Sequence, residues 1–145
     1  GARRVLQRDL AIPVLAHPED WHFVATPHPY FVQMVGGMEP CAPDEALHDG
    51  QEIQAEEITL RVLHTPGHSL GSVCFLGDGV VFTGDTLFAG SVGRTDLPGG
   101  DRGTLEESLR KLIAATTPQT VAYPGHGPAT TIGEELRDNP FLQEL

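Results

Sequence analysis

Three short apolar runs of this chain each end at a tight turn that carries one metal-competent side chain. The turns are Thr65-Pro66-Gly67-His68, Phe82-Thr83-Gly84-Asp85-Thr86 and Tyr123-Pro124-Gly125-His126-Gly127-Pro128. Loops at strand ends are where a rigid scaffold presents functional groups. The repeated arrangement therefore predicts a scaffold of short strands whose following turns hold the chemistry.

Length and composition favour one mixed domain. A chain of 145 residues is long enough for a sizeable core and short enough for one domain, which we place over 1–145. Hydrophobic residues make up 39%, and 17 glycines and 12 prolines indicate many turns. This composition is typical of a turn-rich α/β protein rather than a helical bundle.

The charge balance excludes some partner classes. The formal net charge is −11, and Lys111 is the only lysine. Nucleic acid and anionic membrane surfaces attract basic groups, so neither is an expected partner. No apolar stretch approaches the length of a membrane-spanning helix, no signal peptide is visible, and two cysteines cannot form a disulfide framework. We therefore expect a cytoplasmic protein that binds small molecules or proteins.

Strand patterns are clearest in the middle of the chain. Between Glu57 and Val62, apolar and polar residues alternate, which predicts a half-buried strand. The runs Ser72–Leu76 and Val80–Phe82 are joined by Gly77-Asp78-Gly79, a sequence that favours a hairpin. Residues 2–10 fit the end of an amphipathic helix, and residues 19–38 resemble a covering or lid segment.

Two helices are predicted in the last third of the chain. Leu105, Leu109, Leu112 and Ile113 form one apolar face, and Thr104 with Glu107 forms a capping box. Thr131 and Glu134 form a second capping box, for a helix that ends before Pro140. The acidic pairs Glu56-Glu57, Glu106-Glu107 and Glu134-Glu135 are interpreted as solvated faces.

Each candidate ligand also has an ordinary interpretation. His68 could be a turn histidine bonded to backbone. Asp85 ends an apolar run, where a carboxylate is costly unless a metal neutralises it, but aspartate also caps turns and helices. His126 lies between glycines that allow close approach to an ion, or it could be an exposed turn residue. Because three such turns occur together, we favour metal ligation by a donor set suited to zinc, iron or manganese.

Two further residues near these turns are of interest. Arg94 could bind a substrate carboxylate with its guanidinium, or it could form a local pair with Asp96, and the two interpretations are equally favoured. His64 continues the alternating strand and is interpreted as a structural residue, or as one that supports a ligand without binding the metal.

The motif-bearing segments resemble the metallo-β-lactamase superfamily, specifically its glyoxalase II-like thioester hydrolases. The matching segments are His64–Ser72, Phe82–Phe88, Gly93–Asp96, Tyr123–Pro128 and the tail from Thr131 to Phe141. The resemblance extends over essentially the whole chain. It implies the four-layer αββα sandwich of that family, of which this chain would form the C-terminal portion.

The resemblance also implies roles for the candidate residues. His68 would ligate the first metal, His126 the second, and Asp85 would bridge both. Asp85 would thereby position the metal-bound hydroxide that attacks a thioester carbonyl, which makes it the implied catalytic residue. Zinc is the implied cofactor, two ions per complete site, with iron or manganese as alternatives. Arg94 matches a basic residue of the glutathione-thioester hydrolases and would bind substrate.

The remaining ligands of the family come from a His-x-His-x-Asp-His motif. No His-x-His occurs in this sequence, so we expect an incomplete site and little activity from this chain in isolation. The missing donors would come from a second copy of the chain or from a complementing N-terminal segment. The expected substrate is a small-molecule thioester.

Alternative functions remain open. The Gly93–Asp96 step also resembles persulfide dioxygenases, which use a single iron, so the identity of the metal separates the two enzymes. Asp96 and Pro128 replace an aromatic residue and a tyrosine of the glutathione-specific enzymes, which weakens the case for glutathione. β-Lactam hydrolysis ranks lower, because bridging by Asp85 is the glyoxalase arrangement. A non-catalytic remnant that acts as an interaction module would bind little metal.

Overall fold

The computed structural model describes residues 10–26, 32–33 and 42–145. They belong to two compact units, Gly1–Leu47 and His48–Leu145. The single domain over 1–145 stays a prediction. The predicted helix over residues 2–10, apart from Leu10, and much of the predicted lid over 19–38 lie outside the described residues.

In the first unit, two short strands pair in parallel. Strand β1 (Leu15–Ala16) aligns with β2 (Glu45–Ala46). A 3₁₀ turn at Pro18–Asp20 and helix α1 (Trp21–Ala25) follow β1. The Trp21 indole N–H donates to the carbonyl of Ala16 at 2.9 Å, which fixes the start of α1 against the strand.

The second unit is built on a six-stranded sheet in the order β10-β9-β6-β5-β4-β3. Its elements, in chain order, are β3 (Glu52–Ala55), β4 (Ile58–His64), β5 (Val73–Leu76), β6 (Val80–Gly84), β7 (Leu87–Phe88), β8 (Ser91–Val92), α2 (Arg102–Ala114), β9 (Val121–Pro124), β10 (Thr130–Thr131), α3 (Ile132–Asp138) and α4 (Pro140–Gln143). The predicted alternating strand, hairpin and helices are thus confirmed. The short β7–β8 hairpin pairs separately from the main sheet.

Strand directions bring the three motif turns together. Strands β3, β4, β5 and β6 pair antiparallel in succession, so β4 and β6 run the same way. Strand β9 pairs in parallel with β6. The carboxyl ends of β4, β6 and β9 therefore share one edge of the sheet. The turns carrying His68, Asp85 and His126 all leave from that edge.

The core lies between this sheet and the helices that follow it. Its buried members include Leu63, Cys74, Val81 and Ala122 from the strands and Leu105, Leu109, Leu112, Ile132 and Leu142 from the helices. Burial also raises the pKa of the Cys74 thiol, although hydrogen bonds from neighbouring hydroxyls oppose the shift. The predicted apolar face of α2 is therefore the face that packs on the sheet. Among the helices of the described residues, none is long and apolar enough to span a bilayer.

Two interpretations of the helices need correction. The cap of α2 is Asp101, whose carboxylate accepts from Thr104 N, so the predicted capping box at Thr104 is wrong. The capping box of Thr131 and Glu134 is confirmed. Hydrogen bonds from the hydroxyl and amide of Thr131 lower the pKa of Glu134. Glu135 is not on a solvated face: it is 4% exposed, because α3 turns that side chain toward the β7–β8 hairpin.

Candidate metal centre

The three predicted ligands meet at the shared edge of the sheet. Asp85 lies between the two histidines: its Oδ1 is 3.0 Å from His126 Nδ1 and its Oδ2 is 3.7 Å from His68 Nε2. The side chains of Asp85 and His126 are 32% and 76% exposed, so the group faces solvent on the His126 side. Residues far apart in sequence therefore form one cluster of two imidazoles and a carboxylate.

The orientation of His68 is set by a backbone carbonyl. His68 Nδ1 lies 2.9 Å from the carbonyl oxygen of Arg94. Because a carbonyl can only accept, this bond requires the proton on Nδ1. The lone pair is then left on Nε2, the nitrogen that faces Asp85. Histidines that bind metals are usually held in this way by a hydrogen bond to the other ring nitrogen.

Two glycines permit the close packing around Asp85. A side chain at Gly125 would place Cβ 2.5 Å from Asp85 Oδ1. A Cβ at Gly93 would collide with the carbonyl oxygen of Asp85 and would lie 3.2 Å from His68 Cβ. The backbone therefore approaches the cluster from two sides at distances that only glycine allows.

Buried threonines connect the first two motif turns beneath the cluster. The Thr65 hydroxyl lies 3.2 Å from the Thr86 hydroxyl and 3.4 Å from Cys74 Sγ. The Thr83 hydroxyl donates to the Leu87 carbonyl at 2.8 Å. All three threonines are at most 1% exposed. Sequence reasoning missed them, although threonine opens the first turn and flanks Gly84-Asp85 in the second.

A second set of contacts holds the turn before His68. His64 Nε2 lies 2.8 Å from the carbonyl of Leu70, which ties the two ends of the turn together. Asp49 Oδ1 accepts from His64 N at 2.7 Å and from Lys111 Nζ at 2.8 Å. Partial burial raises the pKa of Asp49, but these hydrogen bonds outweigh it and the net shift is downward. The structural interpretation of His64 agrees with these contacts.

Arg94 forms the local pair that the sequence left as one of two alternatives. Its Nε and Nη2 each donate to an Asp96 carboxylate oxygen at 2.7 Å. The two side chains are 60% and 67% exposed. The guanidinium is therefore paired with Asp96, and an exposed pair of this kind opens at little cost.

We expect Asp96 to titrate well below an ordinary aspartate. Hydrogen bonds from the Arg94 guanidinium lower its pKa from 3.8 to about 2. The Arg94–Asp96 ion pair therefore contributes its full stabilisation above pH 3.8, and this stabilisation is lost as the pH falls toward about 2. Carboxyl carbon chemical shifts measure the midpoint, and Arg94→Gln should move it upward. An identical midpoint in that variant would contradict the pairing.

The donor chemistry fits a divalent transition metal, because the cluster supplies imidazole nitrogen and carboxylate oxygen. His68 Nε2 is oriented for such a role, whereas His126 Nδ1 is bonded to Asp85. Within residues 10–26, 32–33 and 42–145, no group of three or more His, Cys, Asp or Glu side chains is arranged to hold an ion. The described residues thus provide a partial donor set.

Comparisons with known proteins place this chain in a family. A family model described as the metallo-beta-lactamase superfamily matches residues 1–126. The chain is 34% identical over 147 residues to hydroxyacylglutathione hydrolase GloC of Haemophilus influenzae, covering 98% of this chain and 69% of that protein. The chain spans about two thirds of the length of the curated relatives it matches.

Two solved structures match over the same extent. The crystal structure of BLEG-1 B3 metallo-beta-lactamase is 37% identical with a TM-score of 0.87, covering 98% of this chain and 70% of that one. The crystal structure of TTHA1623 in a di-iron-bound form is 41% identical with a TM-score of 0.87, covering 98% and 71%. The predicted fold class is therefore confirmed, and the chain belongs to the metallo-β-lactamase superfamily.

Proposed function

We propose that this protein is a metal-dependent hydrolase of the glyoxalase II type that cleaves a small-molecule thioester. The observation that carries the proposal is the position of Asp85 between His68 Nε2 and His126, with His68 Nδ1 bonded to the Arg94 carbonyl. The similarity to an enzyme named hydroxyacylglutathione hydrolase supports the thioester as substrate class.

His68, Asp85 and His126 are the residues that would hold the metal. Zinc is the proposed ion, and the di-iron form of a similar structure makes iron the main alternative. When bound, such an ion supplies Lewis acidity and lowers the pKa of coordinated water. Asp85 contributes negative charge between the two imidazoles, and the bonded His68 ring keeps its Nε2 lone pair directed toward that carboxylate.

Arg94 is the proposed contact for an anionic substrate group. Since its guanidinium is paired with Asp96, a substrate carboxylate would compete with that exposed aspartate. The exposed pair opens at little cost, so Asp96 does not prevent that exchange. Glutathione remains the weaker candidate for the thiol carrier, because Asp96 and Pro128 replace an aromatic residue and a tyrosine of the glutathione-specific enzymes.

A persulfide dioxygenase with a single iron is the second candidate. It is favoured by the Gly93-Arg94-Thr95-Asp96 step, which resembles that branch. β-Lactams also belong in the assay, because a similar structure is named a B3 metallo-beta-lactamase.

The test uses the protein expressed from its own gene in its own host, with the intact mass of every co-purifying polypeptide recorded. We expect about two zinc ions per chain and thioester hydrolysis that a chelator abolishes and added zinc restores. The assay panel contains a hydroxyacylglutathione, a thioester of an uncharged thiol, glutathione persulfide with oxygen monitoring, and a chromogenic β-lactam. We expect the 145-residue polypeptide alone to retain little metal, because it supplies only three of the donors.

The other results each favour a different function. Bound iron together with oxygen consumption would favour the dioxygenase over the hydrolase. Turnover of the β-lactam alone would indicate that the substrate is a β-lactam and not a thioester. A preparation with neither metal nor activity would contradict the enzyme and support the interaction module. Full metal content in the isolated polypeptide would mean that a second copy completes the site.

A further inference from the structure

The β7–β8 hairpin and the residues that follow it touch the candidate ligands directly. Gly93 packs against the carbonyl oxygen of Asp85 and donates its own N–H to Thr86 O at 3.2 Å. The next residue, Arg94, provides the carbonyl that accepts from His68 Nδ1. A displacement of this hairpin would therefore reach both His68 and Asp85.

The hairpin also reaches the third ligand. Phe88 lies at the end of β7, opposite Ser91 in β8. Its ring is centred 6.0 Å from the His126 ring, at a tilted angle. The hairpin and the two residues that follow it, Gly93 and Arg94, thus contact every member of the cluster, although the strands are only two residues each.

Strands this short need hydrogen bonds from neighbouring elements, and these come from α3 and from Asn139 directly after it. The N–H of Gly90, in the turn between β7 and β8, donates to Glu135 Oε2 at 2.9 Å. Asn139 Nδ2 donates to the Ser91 carbonyl at 3.1 Å. The same Asn139 amide also donates to Glu135 Oε2 at 2.7 Å, which links the two side chains. Glu135 and Asn139 therefore hold the hairpin turn and the first residue of β8.

The Glu135 carboxylate is buried and well supplied with donors. Its Oε1 accepts from the Thr130 hydroxyl at 2.6 Å, and its Oε2 takes the two bonds from Gly90 and Asn139. Glu135 is 4% exposed and Asn139 is fully buried. A buried carboxylate is costly unless it is fully hydrogen-bonded, and it specifies one arrangement of its partners when it is.

We infer that Glu135 is a positioning residue for the metal ligands, acting through the β7–β8 hairpin on His68. The carboxylate fixes the turn at Gly90, the hairpin carries that constraint to Arg94, and the Arg94 carbonyl holds the proton of His68 on Nδ1. The inference rests on the proposed function insofar as His68 ligates the metal, but the orientation of the ring is measurable without any metal.

Two substitutions separate the hydrogen bonds of Glu135 from its negative charge. Glu135→Ala removes all three accepted bonds and frees the turn. Glu135→Gln keeps all three contacts: its amide oxygen can accept from Gly90 and Asn139, and its NH₂ reverses the third bond by donating to the Thr130 hydroxyl. That hydroxyl can then donate to Glu134 Oε2, which already lies 3.3 Å away. The glutamine variant should therefore behave like the wild type.

A matched control accounts for general loss of stability. Thr120→Ala removes a buried hydroxyl that accepts from Thr117 N at 3.0 Å. Thr120 directly precedes β9, at the opposite end of that strand from the His126 turn. We expect it to lower the melting temperature without changing His68. It shows what a purely structural defect does to each measurement.

The primary measurement is the tautomer of His68, read from long-range proton–nitrogen correlation spectra of the metal-free protein at a pH where the ring is neutral. Wild type, Glu135→Gln and Thr120→Ala should show a single Nδ1–H tautomer, and Glu135→Ala should show a mixture. The second measurement is zinc titration of the metal-stripped protein prepared from its own host, the preparation in which we expect the complete donor set. The zinc affinity should fall about 10–100-fold in Glu135→Ala alone, the range expected when support of a ligand is lost.

The outcomes are distinct. An unchanged tautomer in Glu135→Ala would overturn the inference, as would a glutamine variant as defective as the alanine one. An alanine variant whose tautomer and zinc affinity match those of Thr120→Ala would reduce Glu135 to a structural role. If the wild type prepared from its own host takes up no zinc, the proposed function fails, whereas the tautomer result still decides the role of Glu135.

Discussion

Asp85→Asn is expected to reduce kcat/KM for thioester hydrolysis by about a thousandfold, which corresponds to roughly 4 kcal/mol of transition-state stabilisation. The amide has the shape of the carboxylate, so the fold should persist. However, it lacks the charge and one of the two acceptors that lie 3.0 Å from His126 Nδ1 and 3.7 Å from His68 Nε2. The zinc content should fall together with the rate, because a neutral amide is a weak ligand.

The measurement is steady-state kinetics with metal analysis on the same samples. Asp78→Asn is the matched control, since it makes the same chemical change at the exposed tip of the β5–β6 hairpin. It should retain full metal content and activity. If Asp85→Asn also retained both, Asp85 would be a turn residue, and the ordinary interpretation of its sequence position would be correct.

Gly93→Ala is expected to destabilise the protein by about 3 kcal/mol, lowering the melting temperature by roughly 10 °C. The added methyl group would collide with the carbonyl oxygen of Asp85 and press on His68 Cβ. The colliding partner is backbone rather than the end of a flexible side chain, so the turn has to shift. The shift would also disturb the cluster, and activity should fall further than the unfolded fraction explains.

Gly103→Ala is the control for the same substitution. Gly103 lies in α2, and its nearest neighbour to a new Cβ would be Asp101 Oδ1 at 3.6 Å, an ordinary contact. Because alanine is the better helix former, this variant should gain up to about 1 kcal/mol. Denaturant unfolding measures both variants. A Gly93→Ala protein with the midpoint of the wild type would contradict the close packing around Asp85.

The cluster could be predicted from sequence because its signals are local. Each candidate ligand follows a strand-like run within a few residues. The turns at His68, Asp85 and His126 can therefore be recognised from their neighbouring residues alone. The hairpin at Gly77-Asp78-Gly79 and the capping box at Thr131 are equally local. Nothing in these patterns required knowledge of which elements pack together.

The rest depended on packing or on competing local signals. Asp101 and Thr104 both resemble helix caps, and the sequence offered no way to see that Thr104 N bonds to Asp101 instead. Glu135 was misread as solvated because its neighbour Glu134 does face water. The spacing of Ile132, Glu135 and Asn139 on one helix face was the missed signal. The β7–β8 strands were too short to show any periodicity.

The parallel pairing of β6 with β9 also predicts an order of assembly. His68 and Asp85 border an antiparallel meander whose contacts are close in sequence, whereas His126 joins them only after a long crossover that contains the β7–β8 hairpin and α2. Contacts distant in sequence are slower to form, because more chain entropy must be lost first. During synthesis, a ribosome would release the first two donors well before the third. We therefore expect an ion at the proposed ligands to bind only after β9 has paired with β6, because His126 is the last of the three to be positioned.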